Sequence, residues 1–87
     1  MNVPFEKDSE QKFEQMIAKV PGPMRSIAKN AVLKKAAQLI ESRQHDSVTE
    51  KDMVDAFFEA TPFGFHGPMK CDMEEIGIDY QKYGYER

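Results

Sequence analysis

Few side chains in this sequence have the type and spacing for chemistry. His66, Cys71 and Asp72 are the tightest gathering of metal-ligating types. Their offsets match neither a CxxC nor an HxxxH pattern, the spacings that turn two ligands toward one ion. Cys71 is the sole cysteine, which excludes an internal disulfide and fits a reducing compartment. His45 beside Asp46 resembles a proton-transfer pair but falls in a polar connector, where a solvated loop histidine is the expectation. Glu74 and Glu75 are consecutive and diverge on a helix. No glycine-rich phosphate loop follows a strand, and no Ser or Cys nucleophile has a base nearby in sequence. No catalytic, cofactor-binding or metal-binding residue is assigned, and no cofactor is expected.

Arg25 is a different case. Pro21, Gly22 and Pro23 place it in the first turn of a long helix, where the macrodipole disfavours a cation by about 0.3–1 kcal/mol. A compensating partner is therefore expected. The orphan carbonyls closing the preceding helix would serve, as would a carboxylate of the following helix, Asp52 or Asp55, and a forked guanidinium can reach both. A structural clamp is the preferred reading, with a ligand- or phosphate-binding arginine as the alternative. Lys29, Lys34 and Lys35 give the same helix a basic surface. From Lys19 to Arg43 six cations stand against Glu41 alone, whereas in the next segment Asp46, Glu50, Asp52, Asp55 and Glu59 stand against Lys51. A solvated face balanced by these acidic neighbours is expected, and a docking surface for an acidic partner or nucleic acid is the alternative.

The elements that must position these residues can be read from punctuation and period. Met1 to Lys7 show no periodicity and are expected to form an extended arm that lays Phe5 over the core. Asp8 or Ser9 caps a first helix, with Gln11 at the capping-box position. Phe13, Met16, Ile17 and Val20 recur at i, i+3, i+4 and i+7, so they share one face. Pro21 ends this helix at about Lys19, Gly22 permits a corner, and Pro23 suits the start of the next helix because its missing N–H is an orphan there anyway. The second helix runs to about Ser42. Met24, Ile27, Ala28, Ala31, Val32, Ala36, Leu39 and Ile40 are expected along its packing stripe, with Leu33 and Ala37 widening it on one side and small alanines for close approach.

After a polar connector, Val48 is expected to plug the core. Thr49 caps a third helix and Asp52 at N3 completes a capping box. Met53, Val54, Phe57 and Phe58 form its buried face, and Thr61-Pro62 ends it. The aromatic loop at Phe63 and Phe65 is expected to fold back. Pro68 opens a short fourth helix carrying Met69, Met73 and Ile76, and Gly77 with Ile78 closes it in the left-handed C′ manner. Tyr80, Tyr83 and Tyr85 then either cover the open end of the core or form a partner-binding strip, with cover preferred.

The predicted fold is thus all-α: a three-helix core with a histone-like hairpin, a short fourth helix and an aromatic tail. At 87 residues the chain is read as one domain over residues 1–87, with a core at 8–61 and residues 62–87 packed on it. Such a length buries only roughly 60% of the unfolded surface. With 40% hydrophobic and 31% charged residues and a net charge of −3, it reads as a soluble, cytoplasmic chain. It has no apolar run of the roughly 18 residues that a membrane span needs, and its N-terminus has no signal-peptide pattern.

From Val20-Pro21 through Arg25, followed by an alanine-rich helix and by Val48-Thr49 opening a helix with Ala56, the chain resembles the proto-chlorophyllide reductase C-terminal domain. That all-helical module ends the B subunit of light-independent protochlorophyllide reductase and also occurs as small stand-alone proteins. The likeness spans about Phe13 to Ala60, with Pro21, Arg25, Ala36, Thr49 and Ala56 as its markers. It implies an accessory domain of a nitrogenase-like oxidoreductase, whose cluster ligands and substrate pocket lie largely in regions this chain lacks. Ser47 to Met53 after a long helix is also similar to the loop and last helix of archaeal histones. In those proteins an arginine pairs with the aspartate, and His45 stands at its position. The acidic total opposes non-specific DNA binding, which depends on released counterions.

The expected function is therefore a non-catalytic accessory or protein-interaction domain, a monomer or weak dimer whose partner is another protein, such as a nitrogenase-like reductase component. A histone-fold-like nucleic-acid-binding protein is the alternative. Pro21, Pro23, Arg25, Thr49 and Asp52 are its structural or interaction residues, and Lys29, Lys34 and Lys35 its basic surface.

Overall fold

Pro21 lies in an extended conformation at φ −53° and ψ 140°, and the chain turns there between two helices. The computed structural model describes residues 3–87; Met1 and Asn2, the first residues of the expected arm, lie outside them. The elements are α1 (Lys7–Ala18), α2 (Gly22–Arg43), α3 (Glu50–Ala60) and α4 (His66–Ile76), with 3-10 turns at Phe63–Phe65 and Tyr80–Tyr83. The fold is all-α. α2 and α3 form the main hairpin, α1 packs on both, and α4 packs on α1.

Phe13, Met16 and Ile17 of α1 are buried against Val32, Leu33, Ala36 and Ile40 of α2 and Met53, Val54, Ala56, Phe57 and Phe58 of α3. The expected cap at Asp8 or Ser9 does not form. The Glu6 amide donates to the Val48 carbonyl at 3.0 Å, and the Val48 amide donates to the Pro4 carbonyl at 2.9 Å. This bridge between Phe5 and Val48 holds Glu6 extended, so the helix begins immediately after it and takes Asp8 and Ser9 into its first turn. Asp8 and Glu10 there still favour the positive end of the dipole. The same bridge seats Phe5, whose ring lies 4.9 Å from that of Phe13, and Val48 is fully buried.

At the start of α3 the capping box forms: the Asp52 amide donates to the Thr49 hydroxyl at 3.2 Å, and the Thr49 amide to Asp52 Oδ2 at 3.0 Å. α2 ends on Gln44 in the left-handed region, at φ 59°. At the end of α4, Gly77 takes φ 95° and the Ile78 amide reaches the Met73 carbonyl at 2.8 Å. Ile78 is buried, as expected for this cap.

The tail divides. Tyr80 is buried, and the ring of Tyr85 stacks on Phe58 at 3.9 Å and 4°. Phe63 and Phe65 do not fold back. They remain 87% and 65% exposed, because the 3-10 turn between Pro62 and α4 directs them outward while His66 takes the place beside Phe58 at 5.1 Å.

The third correction concerns α2. Val32, Leu33, Ala36 and Ile40 are its buried residues, whereas Met24 and Ile27 are 53% and 65% exposed and Ala31 is exposed. Ile27 and Ala36 are nine residues apart, about two and a half turns, and so lie on opposite sides of the helix. The apolar positions form two faces rather than one stripe, and the neighbouring helices cover only one of them.

Candidate interaction surface

Two regions stand out, and only some of the residues singled out in the sequence fall in them. The first is a polar clasp across the α2–α3 hairpin. Asp52 and Asp55 are 0% and 3% exposed, and Arg43 at the end of α2 forks between them, 2.7 Å from Asp52 Oδ1 and 2.9 Å from Asp55 Oδ2. His45 Nδ1 lies 2.7 Å from Asp52 Oδ2, so this connector histidine, expected to be merely solvated, is tied to the clasp while its side chain stays 39% exposed. Lys51 donates to Asp55 Oδ2 at 2.8 Å, and the Tyr85 hydroxyl donates to Asp55 Oδ1.

Burial would raise the Asp52 carboxyl, but the Thr49 amide, His45, Arg43 and the Thr49 hydroxyl outweigh it and hold the group at about 2. Asp55 is likewise lowered: burial opposes this, and Lys51, Tyr85 and Arg43 prevail. Among the described residues no buried side-chain N or O lacks a hydrogen-bond partner. The clasp is thus a closed set of satisfied groups that fixes the angle between two helices.

Arg25 does not reach this clasp. Its Nε donates to the Val20 carbonyl at 3.1 Å, and Nη2 donates to Val20 at 2.9 Å and Ala18 at 3.1 Å. The carbonyls ending α1 are therefore its partners, and the carboxylates expected as alternatives are held by Arg43. With Pro21 as N-cap and Pro23 in the first turn of α2, Arg25 joins the two helices at an exposed corner. Arg43 was not singled out in the sequence. Its position nine residues before Asp52 becomes a contact only when the hairpin closes.

His66 Nε2 lies 2.9 Å from the Thr61 carbonyl and 3.1 Å from that of Phe58. Carbonyls only accept, so this nitrogen carries the proton and caps the end of α3. Cys71 is exposed, and among the described residues no group of three His, Cys, Asp or Glu side chains is placed to hold a metal ion.

The second region is the uncovered side of α2. Ala31, Lys34, Lys35 and Gln38 line an open groove together with Ala60 at the end of α3. Ile27 lies one turn before Ala31. Phe63 follows Ala60 by three residues, so its Cα lies within roughly 11 Å of that wall. Of the basic residues, Lys29 faces Glu14 of α1 and Lys35 faces Glu59 of α3, both at 3.8 Å. Lys34 has no ion-pair partner among the described residues.

Fold and surface define a small all-helical domain with an uncovered helix face and a saturated polar interior. The chain belongs to the family described as "Protein of unknown function (DUF2621)", whose model matches residues 2–86. It matches none of the curated proteins and none of the solved structures. No helix of the described residues is long and apolar enough to cross a membrane.

Proposed function

We propose that this domain is a non-catalytic accessory module that binds another protein through the uncovered side of α2 and the adjoining Phe63–Phe65 turn. The observation that carries the reading is the exposure of four large apolar side chains, Met24, Ile27, Phe63 and Phe65. Apolar groups gathered at the surface mark interaction sites. The resemblance to the C-terminal domain of light-independent protochlorophyllide reductase supplies a context, in which the partner is a component of a nitrogenase-like reductase in the cytoplasm.

A photo-crosslinking residue placed at Ile27 or Phe63 in the native cell tests this. Discrete adducts of one partner from both positions, and none from Gln11 on α1, are expected. Absence of adducts from both, or an identical smear from all three, overturns the reading. Identification of the adduct by mass spectrometry decides whether a reductase component is the partner.

A further inference from the structure

The uncovered side of α2 has a charge as well as an apolar surface. Ile27, Ala31, Lys34 and Gln38 recur at intervals of four, three and four residues and so align along one stripe. From Ile27 to Gln38 this stripe is about 16 Å long, three helical turns. Ala31 of α2 and Ala60 at the end of α3 are small and both line the groove, so a helix laid there can bring its axis within the usual roughly 8–10 Å of α2. Lys34 and Lys35 stand beside them. Glu59 meets Lys35 at only 3.8 Å at an exposed position, a pairing that contributes little and is easily exchanged for another carboxylate.

We propose that this groove takes an acidic amphipathic helix of another protein, its apolar positions lying along Ile27 and Ala31 and its carboxylates directed to Lys34 and Lys35. The inference rests on the protein-binding reading above and adds the chemistry of the partner. Helix-in-groove recognition uses apolar anchors at i, i+3 or i+4 and i+7 of the incoming helix, and Met24, Ile27 and Ala31, all exposed, present apolar positions at that spacing to meet them. Charge selects the occupant. A second copy docking through the same side of α2 would bring Lys34 and Lys35 of both copies into one interface with only Glu59 of each to meet them, an excess of like charge that opposes pairing. Nucleic acid would satisfy the lysines but would leave Met24 and Ile27 facing phosphates.

The test uses the 87-residue chain and a labelled peptide of about four helical turns, with leucines on one face flanked by glutamates, beside a counterpart with lysine in place of each glutamate. Fluorescence anisotropy is expected to show saturable binding of the glutamate peptide, roughly tenfold or more tighter than of the lysine peptide. The double change Lys34→Glu with Lys35→Glu should reverse that preference, and Ile27→Glu should abolish binding of both peptides with an unchanged melting curve. Ile27→Ser replaces Ile27→Glu if the melting curve moves. Equal affinity for the two peptides, or none for either, overturns the proposal. If cross-links at Ile27 persist in that case, protein binding stands and only the acidic-helix partner falls. Duplex DNA that displaces the peptide and is lost in the double lysine variant would assign the surface to nucleic acid. A concentration-dependent dimer dispersed by Ile27→Glu would assign it to a second copy.

Discussion

Arg43 and Asp52 meet at 2.7 Å across the connector between α2 and α3, joining the last residue of one helix to the N3 position of the next. Asp52 is at once the return arm of the α3 capping box and the acceptor for Arg43 and His45. A local cap and a long-range fastening thus share one carboxylate. The fastening ties together the two helices between which Val32, Leu33, Ala36 and Ile40 of α2 are buried, while the other side of α2 remains uncovered.

Replacing Arg43 with Met should lower stability by about 2–4 kcal/mol, since Asp52 and Asp55 would stay buried with one fewer cation. Arg43→Lys should recover only part of this, because an ammonium cannot fork between two carboxylates as a guanidinium does. Urea unfolding at neutral pH measures both. A loss below about 0.5 kcal/mol for Arg43→Met would mean that His45 and Lys51 suffice without it.

Acid should loosen the hairpin. Asp52 is held at about 2, against an ordinary 3.8, and Asp55 and Glu50 are also lowered; for Glu50 burial opposes the shift and Lys12 and Tyr83 prevail. A carboxyl whose folded value lies below its unfolded value stabilises fully above the unfolded value, and the contribution fades as pH falls through the folded one. Asp52 alone should account for about 2 kcal/mol, lost between roughly pH 5 and pH 2. Urea melts across this range should show the decline, and Asp52→Asn should flatten it. A wild-type profile level down to pH 2 would contradict it.

Alkali should act on the tail. Burial and the hydrogen bonds to Glu50 and Asp55 raise the Tyr83 and Tyr85 hydroxyls well above their ordinary 10.0. The folded state therefore keeps these protons longer than the unfolded one, and stability present below about pH 10 is lost as pH rises beyond it. Phenolate absorbance followed with helical ellipticity should show ionisation and unfolding together. The double variant Tyr83→Phe with Tyr85→Phe should weaken that coupling, leaving the part due to Tyr80, whose hydroxyl is raised by its hydrogen bond to Glu74.

Arg25→Ala should cost about 1 kcal/mol, less than a buried charged hydrogen bond because the corner faces solvent. The carbonyls of Ala18 and Val20 would turn to water. A melting curve within error of wild type would show that the corner is held by Pro21 and Pro23 alone.

The features legible in the sequence are those decided within a few residues. Pro21 cannot extend α1, Gly77 adopts a positive φ to end α4, and Thr49 with Asp52 closes a box over three positions; each is a steric or hydrogen-bonding demand that needs no distant partner. The buried faces of α1 and α3 were equally plain, because their apolar residues occupy a single arc. α2 could not be read in this way. Its apolar residues lie on two sides, and periodicity cannot say which side a neighbour will cover.

By itself, then, the sequence determined an all-helical chain, the corner at Pro21, the caps at Thr49 and Gly77 and the large apolar side chains of α1 and α3 that must be buried. Tertiary structure decided the rest: the Phe5–Val48 bridge that moved the start of α1, the capture of Asp52 and Asp55 by Arg43 rather than Arg25, and the outward placement of Ile27, Phe63 and Phe65. The physical reason is range. Caps and turns are settled by bonds between near neighbours, whereas a guanidinium's choice of carboxylate and a helix's choice of face depend on which elements meet once the chain has closed on itself.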